Sequence, residues 1–176
     1  VFYWNKDAFK AAGLDPAKPP GTWPEVALAA AKLKASGHKC PFTTSWQSWT
    51  QLESFSAWHN VEYATKRNGF TGLDTRMAIT TPLHVRHIEN LANMAQQGLF
   101  VYKGRSGAAD AVFQSGECAM YTGSSASYGG IKRNLKAEAG ISTLPYYPDV
   151  PGTPQNTVIG GASLWAMSGK KPAEYK

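Results

Sequence analysis

Short apolar runs alternate with longer amphipathic stretches along this chain. Continuous apolar runs predict strands at 1–5, 40–44, 118–122, 141–145 and 158–167. Apolar residues at spacings of three and four predict helices at 6–13, 22–37, 45–58, 81–98 and 108–113, and another that follows 123–127 and ends near 136. Strands that alternate with helices indicate a layered α/β domain.

Two of these helices have a clear predicted inner face. The first opens with a capping box between Thr22 and Glu25 and turns one face inward, formed by Trp23, Val26, Ala30 and Leu33. The second begins after Thr81 and is expected to bury Val85, Ile88, Leu91 and Ala95. On that second helix, His84 and His87 are expected on the solvated face, since no third metal ligand accompanies them.

Composition narrows the class of protein. Aromatic residues make up 12% of the 176 residues, more than a core of this size needs, so some are expected to line a binding surface. The basic residues behind the net charge of +6 are scattered, which argues against a nucleic-acid groove. A mildly positive field would help to collect an anionic solute, and an ordinary solvated surface is the competing interpretation of most of these residues. No apolar run is long enough for a membrane span, so no direct membrane insertion is predicted. The chain opens on Val1 with neither Met nor signal peptide, as a piece of a longer protein does.

The turn Gly123-Ser124-Ser125 follows a predicted strand and precedes a predicted helix. Backbone amides and the hydroxyls of Ser124 and Ser125 are suited to hold a phosphate or carboxylate without chemistry. An ordinary helix N-cap is the alternative interpretation of Ser124. A hydrolase with Ser124 as nucleophile is a weaker alternative, because the sequence offers no base and no nucleophile-elbow motif.

Trp46 and Trp49 stand three residues apart among polar residues near a predicted helix start. On a helix this spacing places both indoles on one face, where they form an apolar wall for the carbon chain of a polyol. Core packing is the competing interpretation. A second candidate is Gly160-Gly161, because glycine inside an apolar strand marks a bulge or the close approach of a ligand. Neither a cofactor motif nor a metal site is predicted.

Several segments resemble a known family. The run 3–16 with Pro19-Pro20 and Thr22-Trp23 is typical of the extracellular solute-binding proteins of carbohydrate-type ABC importers. The segments 45–58, 116–120, 154–156 and 159–165 are similar to the branch of that family that binds sn-glycerol 3-phosphate. The likeness covers the whole chain, although Trp4 replaces a usual tyrosine and the loop 147–153 is unusual.

The resemblance implies a two-lobed, type II periplasmic-binding-protein fold, with the solute clamped between the lobes. Residues 1–176 are then one α/β lobe, a fragment of the longer protein. Matched positions imply that Trp46 and Trp49 flank the glycerol, and that Ser124 and Gly161 lie on the phosphate side. The implied partners are a small phosphorylated polyol and the membrane permease subunits of the importer. The implied location is the periplasm, and the implied function is capture without catalysis. A glycerophosphodiester or an oligosaccharide is the alternative solute.

The resemblance bears on the state of the two cysteines. By themselves, Cys40 and Cys118 fit buried thiols in a reducing compartment or a disulfide in an exported protein. Each begins a predicted short strand, so parallel neighbouring strands would place them within disulfide reach. Together with the implied periplasmic location, this predicts a Cys40–Cys118 disulfide.

Overall fold

A single mixed sheet organises the chain. The computed structural model describes residues 1–158, 165, 167–169, 171 and 173. The strands are β1 (Phe2–Asn5), β2 (Cys40–Thr44), β3 (Cys118–Thr122) and β4 (Ala139–Ser142). Their order is β2-β3-β1-β4, with β2 and β3 parallel and β1 antiparallel to both of its neighbours.

Helices connect and cover these strands. The α-helices are α1 (Lys6–Ala11), α2 (Trp23–Ala35), α3 (Ser54–Trp58), α4 (Thr65–Asn68), α5 (Pro82–Gln96), α6 (Ala108–Gln114) and α7 (Tyr128–Asn134). A π-helix, Trp49–Glu53, leads into α3, and a 3-10 turn, Ser125–Ser127, leads into α7. The predicted capping box is confirmed: Thr22 Oγ1 accepts from the Glu25 amide, and the Glu25 carboxylate accepts from the Thr22 amide.

The alternation of side chains along β1 sends them into two cores. Phe2 and Trp4 pack with the buried residues of α2 and α5 on one face of the sheet. Tyr3 packs on the other face with residues of α6 and α7, including Phe113 and Ile131. The predicted α/β layering is therefore confirmed as two helical layers around one sheet.

The predicted disulfide is present. Cys40 and Cys118 are register partners in the parallel β2–β3 pair and are joined with a Cα–Cα distance of 4.5 Å. Both cysteines are buried in the second core. Because each is the first residue of its strand, the bond lies at the end of the strand pair opposite to Thr44 and Thr122.

The predicted inner face of α5 is correct at Leu91, which is buried, and wrong at its other three positions, Val85, Ile88 and Ala95. Val85 and Ile88 are each 46% exposed, whereas His84 and His87 are fully buried. The two imidazoles find hydrogen-bond partners and aromatic neighbours inside, so their burial leaves little polarity unsatisfied. The predicted solvated face for these histidines is therefore also wrong.

The last two predicted strands have different outcomes. The strand expected at 141–145 lies earlier, at Ala139–Ser142, where it pairs with β1. The strand expected at 158–167 lies for the most part outside the described residues. Across the described part of the chain, no helix combines the length and apolar character needed to cross a membrane.

Candidate functional site

A cavity of about 250 Å³ opens beyond the carboxyl ends of the parallel strands β2 and β3. This end of a sheet is where open α/β folds bind their ligands. The chain leaves β2 into Ser45 and leaves β3 into Gly123, so both exits border the cavity region. The residues that line it are Val1, Trp49, Thr50, Ser54, Gly123, Ser124, Ser125, Ala126, Leu144, Thr157 and Val158. Within the described chain, no charged side chain lines this cavity.

The turn after β3 supplies hydroxyls to the cavity. Ser124 Oγ accepts from the Ala126 amide at 3.1 Å, so Ser124 is the N-cap of the 3-10 turn as well as a wall of the cavity. This is the N-cap alternative that the sequence had left open. The two roles are compatible, because the hydroxyl proton of Ser124 is not used by the cap.

Two buried tyrosines lie against this turn, and Tyr3 bonds it directly. The Tyr3 hydroxyl donates to the carbonyl oxygens of Ser124 at 3.1 Å and Ser125 at 3.3 Å. Tyr121 donates to Asp110, and Ser45 Oγ lies 2.5 Å from the same phenol oxygen. Burial raises the pKa of Tyr3 to about 12, and burial reinforced by Asp110 also raises the pKa of Tyr121. Both phenols therefore remain protonated donors at neutral pH.

Gly123 is required by this packing. A Cβ at Gly123 would lie 1.9 Å from the Tyr121 hydroxyl, a distance that atoms do not tolerate. The ring is fully buried and hydrogen-bonded, so it has no room to move aside. Glycine at position 123 therefore lets the backbone that leaves β3 lie against the Tyr121 hydroxyl before it enters the serine turn.

Trp49 reaches the cavity from the π-helix. Its side chain is half-buried, and Thr50 and Ser54, one residue and five residues further along, line the same cavity. A π-helical turn is rare and is found most often at functional sites. Trp49 was predicted from the sequence as a binding residue. Thr50 and Ser54 were not, because they carry no distinguishing motif.

The predicted pair of indoles on one helix face is wrong. Helical structure begins only at Gln47, and Trp46 precedes it in a left-handed conformation with φ of 50°. For a bulky residue this conformation is strained, and it is held by a hydrogen bond from the Trp46 amide to the Ser106 carbonyl at 2.8 Å. Trp46 is 45% exposed and lines a different hollow from Trp49.

That second hollow adjoins the first. It is lined by Trp46, Asp110, Gln114, Ser124, Ala126, Ser127, Gly130 and Arg133, and Ser124 and Ala126 border both spaces. Unlike the first cavity, it offers a carboxylate and a guanidinium beside an exposed indole. Gly161, the fourth candidate from the sequence, lies outside the described residues.

The described residues bring no histidine to Ser124. Ser124 Oγ has no hydrogen bond to a histidine, and none of the four histidines of the chain lines either hollow. His84 bonds Ser56 and Thr81, His59 bonds Phe55 and Tyr147, and His87 bonds Gln51. In the described part of the chain, no group of three potential metal ligands occurs.

Comparisons with known proteins define the class. The sequence model of the family described as bacterial extracellular solute-binding protein matches residues 1–174. The chain belongs to this family, which confirms the resemblance seen in its sequence. An expected match to sn-glycerol-3-phosphate binders is also found.

The chain is similar to curated periplasmic proteins. It is 49% identical over 176 residues to the sn-glycerol-3-phosphate-binding periplasmic protein UgpB of Pectobacterium atrosepticum. It is 49% identical over 175 residues to the protein of the same name from Escherichia coli K12. These matches span 100% and 99% of the chain but only 40% of each relative.

Solved structures agree on the fold. A cyclic alpha-maltosyl-1,6-maltose binding protein from Arthrobacter globiformis matches 87% of the chain and 38% of its own, with a TM-score of 0.69 at 22% identity. UgpB from Mycobacterium tuberculosis, in complex with glycerophosphocholine, matches 85% of the chain and 37% of its own, with a TM-score of 0.67 at 23% identity. The expected fold, part of a type II periplasmic-binding-protein lobe, is confirmed.

Proposed function

We propose that residues 1–176 form much of one lobe of a two-lobed periplasmic protein that captures sn-glycerol 3-phosphate for an ABC importer. The observation that carries the solute assignment is the cavity itself: an indole on one wall, serine hydroxyls on another, and no charged side chain among the described residues. Such a surface suits the glycerol and the neutral contacts of a phosphorylated polyol.

The division of the site between two lobes is supported by what the cavity lacks. A phosphate dianion that is removed from water requires a compensating cation or several strong donors. The polar side-chain groups of the described cavity lining are hydroxyls and the indole N–H of Trp49. Arg133 lines the adjoining hollow and not this cavity, so we assign the cation that faces the cavity to the other lobe. The chain spans only 40% of its curated relatives, which leaves length for that lobe.

Trp49 and Ser124 are assigned to the solute in this proposal, because both line the cavity. Trp46 is assigned to the part of the solute that extends beyond Ser124, because it lines the adjoining hollow. Gly161 is proposed to contact the solute on its sequence match alone. Val158, which precedes it closely in the chain, does line the cavity.

A glycerophosphodiester is the second candidate solute. The adjoining hollow places Asp110 next to the exposed indole of Trp46, and this combination suits a cationic head group attached to the phosphate. UgpB from Mycobacterium tuberculosis was solved with glycerophosphocholine, although its likeness to this chain is one of fold. An oligosaccharide is the third candidate solute.

Capture without catalysis follows from the same geometry. The family consists of solute-binding proteins, and Ser124 has no base within its hydrogen-bond contacts. Partners of the protein are then the solute and the permease subunits that receive it.

A panel titration tests the assignment. The proposed two-lobed protein would be titrated by calorimetry with sn-glycerol 3-phosphate, glycerophosphocholine, a maltose oligosaccharide and inorganic phosphate. We expect the tightest binding for one of the two glycerophosphates and no turnover of either. Tightest binding of the oligosaccharide would overturn the solute assignment, and hydrolysis that Ser124→Ala abolishes would establish the hydrolase alternative.

A further inference from the structure

Gln51 occupies an unusual place beside the candidate cavity. It is the middle residue of the π-helix, between the cavity residues Trp49 and Ser54, but it does not line the cavity itself. Its side chain is 3% exposed. A buried amide on a surface-facing turn needs partners for each of its polar atoms, so its contacts explain why it is there.

The amide nitrogen of Gln51 binds the ends of both parallel strands. Gln51 Nε2 lies 2.9 Å from Thr44 Oγ1 and 2.9 Å from Thr122 Oγ1. Thr44 is the last residue of β2, and Thr122 is the last residue of β3, directly before the Gly123-Ser124 turn. One side chain thus ties the turn that carries Trp49 to the strand that delivers Ser124.

The hydrogen bonds of the two threonines agree with this orientation of the amide. The Thr122 hydroxyl donates to Thr44 Oγ1 at 2.8 Å, and the Thr44 hydroxyl has acceptors in Thr50 Oγ1 at 3.0 Å and two carbonyl groups. Each threonine oxygen then has a lone pair free to accept. The NH2 of Gln51 donates to both oxygens.

The amide oxygen of Gln51 then faces α5. His87 Nε2 lies 3.0 Å from Gln51 Oε1 and donates to it. The His87 ring is fully buried and stacks on Phe55, with ring centroids 4.0 Å apart and planes 9° apart. This histidine is therefore a rigid anchor within the core rather than an adaptable surface group.

We propose that Gln51 is the positioning residue of the solute site: its amide fixes Trp49 relative to Ser124 by joining the π-helix to β2, β3 and α5 at once. Gln51 acts through Trp49 and Ser124 and does not touch the solute. An apolar residue of the same size fills the space but leaves two threonine lone pairs and a histidine N–H unpaired. This inference rests on the proposed solute site.

Gln51→Met tests the proposal, because it keeps an unbranched chain of similar volume and removes all three hydrogen bonds. Thr81→Ala is the matched control: it removes the N-cap of α5 and a His84 contact, and it destabilises the fold without touching the π-helix. Thr122→Val, which removes one arm of the network, serves if Gln51→Met fails to fold. Each variant is made in the proposed two-lobed protein.

Two readouts are measured. Calorimetry with sn-glycerol 3-phosphate gives the affinity, and fluorine NMR of 5-fluorotryptophan-labelled protein, assigned with Trp49→Phe, gives the environment of Trp49. We expect Gln51→Met to weaken binding about tenfold or more and to shift or split the Trp49 signal before solute is added. Thr81→Ala should leave the affinity and the Trp49 signal unchanged.

The outcomes separate this inference from the proposed function. An unchanged Trp49 signal in Gln51→Met, or a loss of affinity that Thr81→Ala reproduces, overturns the positioning role. Failure of the unmodified protein to bind sn-glycerol 3-phosphate overturns the proposed solute instead, while the NMR comparison still decides whether Gln51 positions Trp49.

Discussion

At the scale of single residues, the site depends on groups that never meet the solute. Tyr3 holds the carbonyl groups of Ser124 and Ser125, and Tyr121 packs so close to the chain that residue 123 must be glycine. Trp46 is held in a left-handed conformation by its contact with Ser106. These supporting contacts explain how neutral residues in turns acquire the fixed geometry that selective binding requires.

Replacement of either candidate indole should weaken solute binding without unfolding the protein. In the two-lobed protein, Trp46→Ala and Trp49→Ala should each cost about 1–3 kcal/mol of binding free energy, because each removes an aromatic contact near the solute. Calorimetry gives the affinity, and thermal unfolding gives the stability. Tyr102→Ala, at a 57% exposed aromatic outside both hollows, is the control. Unchanged affinity together with a large drop in melting temperature would show that the residue serves core packing and not solute binding.

Gly123 and Gly129 should respond oppositely to alanine. Gly123→Ala forces a methyl group against Tyr121 and should destabilise the fold by about 1–3 kcal/mol. Gly129→Ala meets only Arg133 Nη1 at an ordinary 3.5 Å in α7 and should be neutral or stabilise by up to about 1 kcal/mol. Urea unfolding measures both. Equal stability of the two variants contradicts the close approach described at Gly123.

At the scale of elements, the sequence predicted those strands and helices whose position depends on neighbouring residues in the chain. The strands β2 and β3 were predicted with correct bounds, because continuous apolar runs between turn residues have few other interpretations. Apart from Leu91, the inner face of α5 was missed, because the periodicity counts histidine as polar. Here Gln51, Ser56 and Thr81 satisfy the imidazoles of His87 and His84. Tertiary partners, which no local window contains, decided that face.

The lining of the candidate cavity was also predicted only in part. Ser124 and Trp49 stood out because small polar residues after a strand, and tryptophans among polar residues, are unusual in a core. The separate direction of Trp46 was not predictable, because its backbone is set by a hydrogen bond to a loop distant in sequence. The same limit applies to Gln51, whose three partners lie on three other elements.

The buried histidines make stability depend on pH. Burial lowers the pKa of His87 to about 3 and also lowers the pKa of His59 and His84. In the unfolded chain these histidines bind protons near pH 6.5, whereas in the folded chain they stay neutral to lower pH. Their full contribution to the free energy of unfolding is therefore present above about pH 6.5 and is lost as the pH falls. His87 alone should cost about 1.4 kcal/mol per pH unit in that range.

Urea unfolding at pH 7.5, 6.5 and 5.5 measures this loss. His87→Gln should flatten the slope below pH 6.5, since glutamine retains polarity and does not titrate. A stability that is constant from pH 7.5 to 5.5 in the unmodified protein contradicts the neutral buried cluster.

At the scale of the whole molecule, the disulfide and the candidate cavity lie at opposite ends of the β2–β3 pair. The Cys40–Cys118 bond closes a sequence separation of 78 residues at the amino ends of these strands. Thr44 and Thr122 join the same strands at their carboxyl ends, under the cavity. The strand pair is thus joined at both ends, by the disulfide at the amino ends and by hydrogen bonds at the carboxyl ends beside the cavity.

Removal of the disulfide should destabilise the protein and spare the geometry of the site. Cys40→Ala combined with Cys118→Ala should lower the free energy of unfolding by about 4 kcal/mol, because the unfolded chain regains its loop entropy. Thermal unfolding measures the loss. Thiol titration of the unfolded, unreduced protein should find no free thiol, and two free thiols per chain would contradict the bond.

The central proposal is that this chain supplies one side of a solute site that is shared by two lobes. Titration calorimetry with sn-glycerol 3-phosphate, performed on the 176-residue chain and on the two-lobed protein under the same conditions, tests it most directly. The account predicts micromolar or tighter binding by the two-lobed protein and affinity at least about a hundredfold weaker for the chain alone, whose folding circular dichroism would verify. Equal affinity of the two, or no binding by the two-lobed protein, would contradict it.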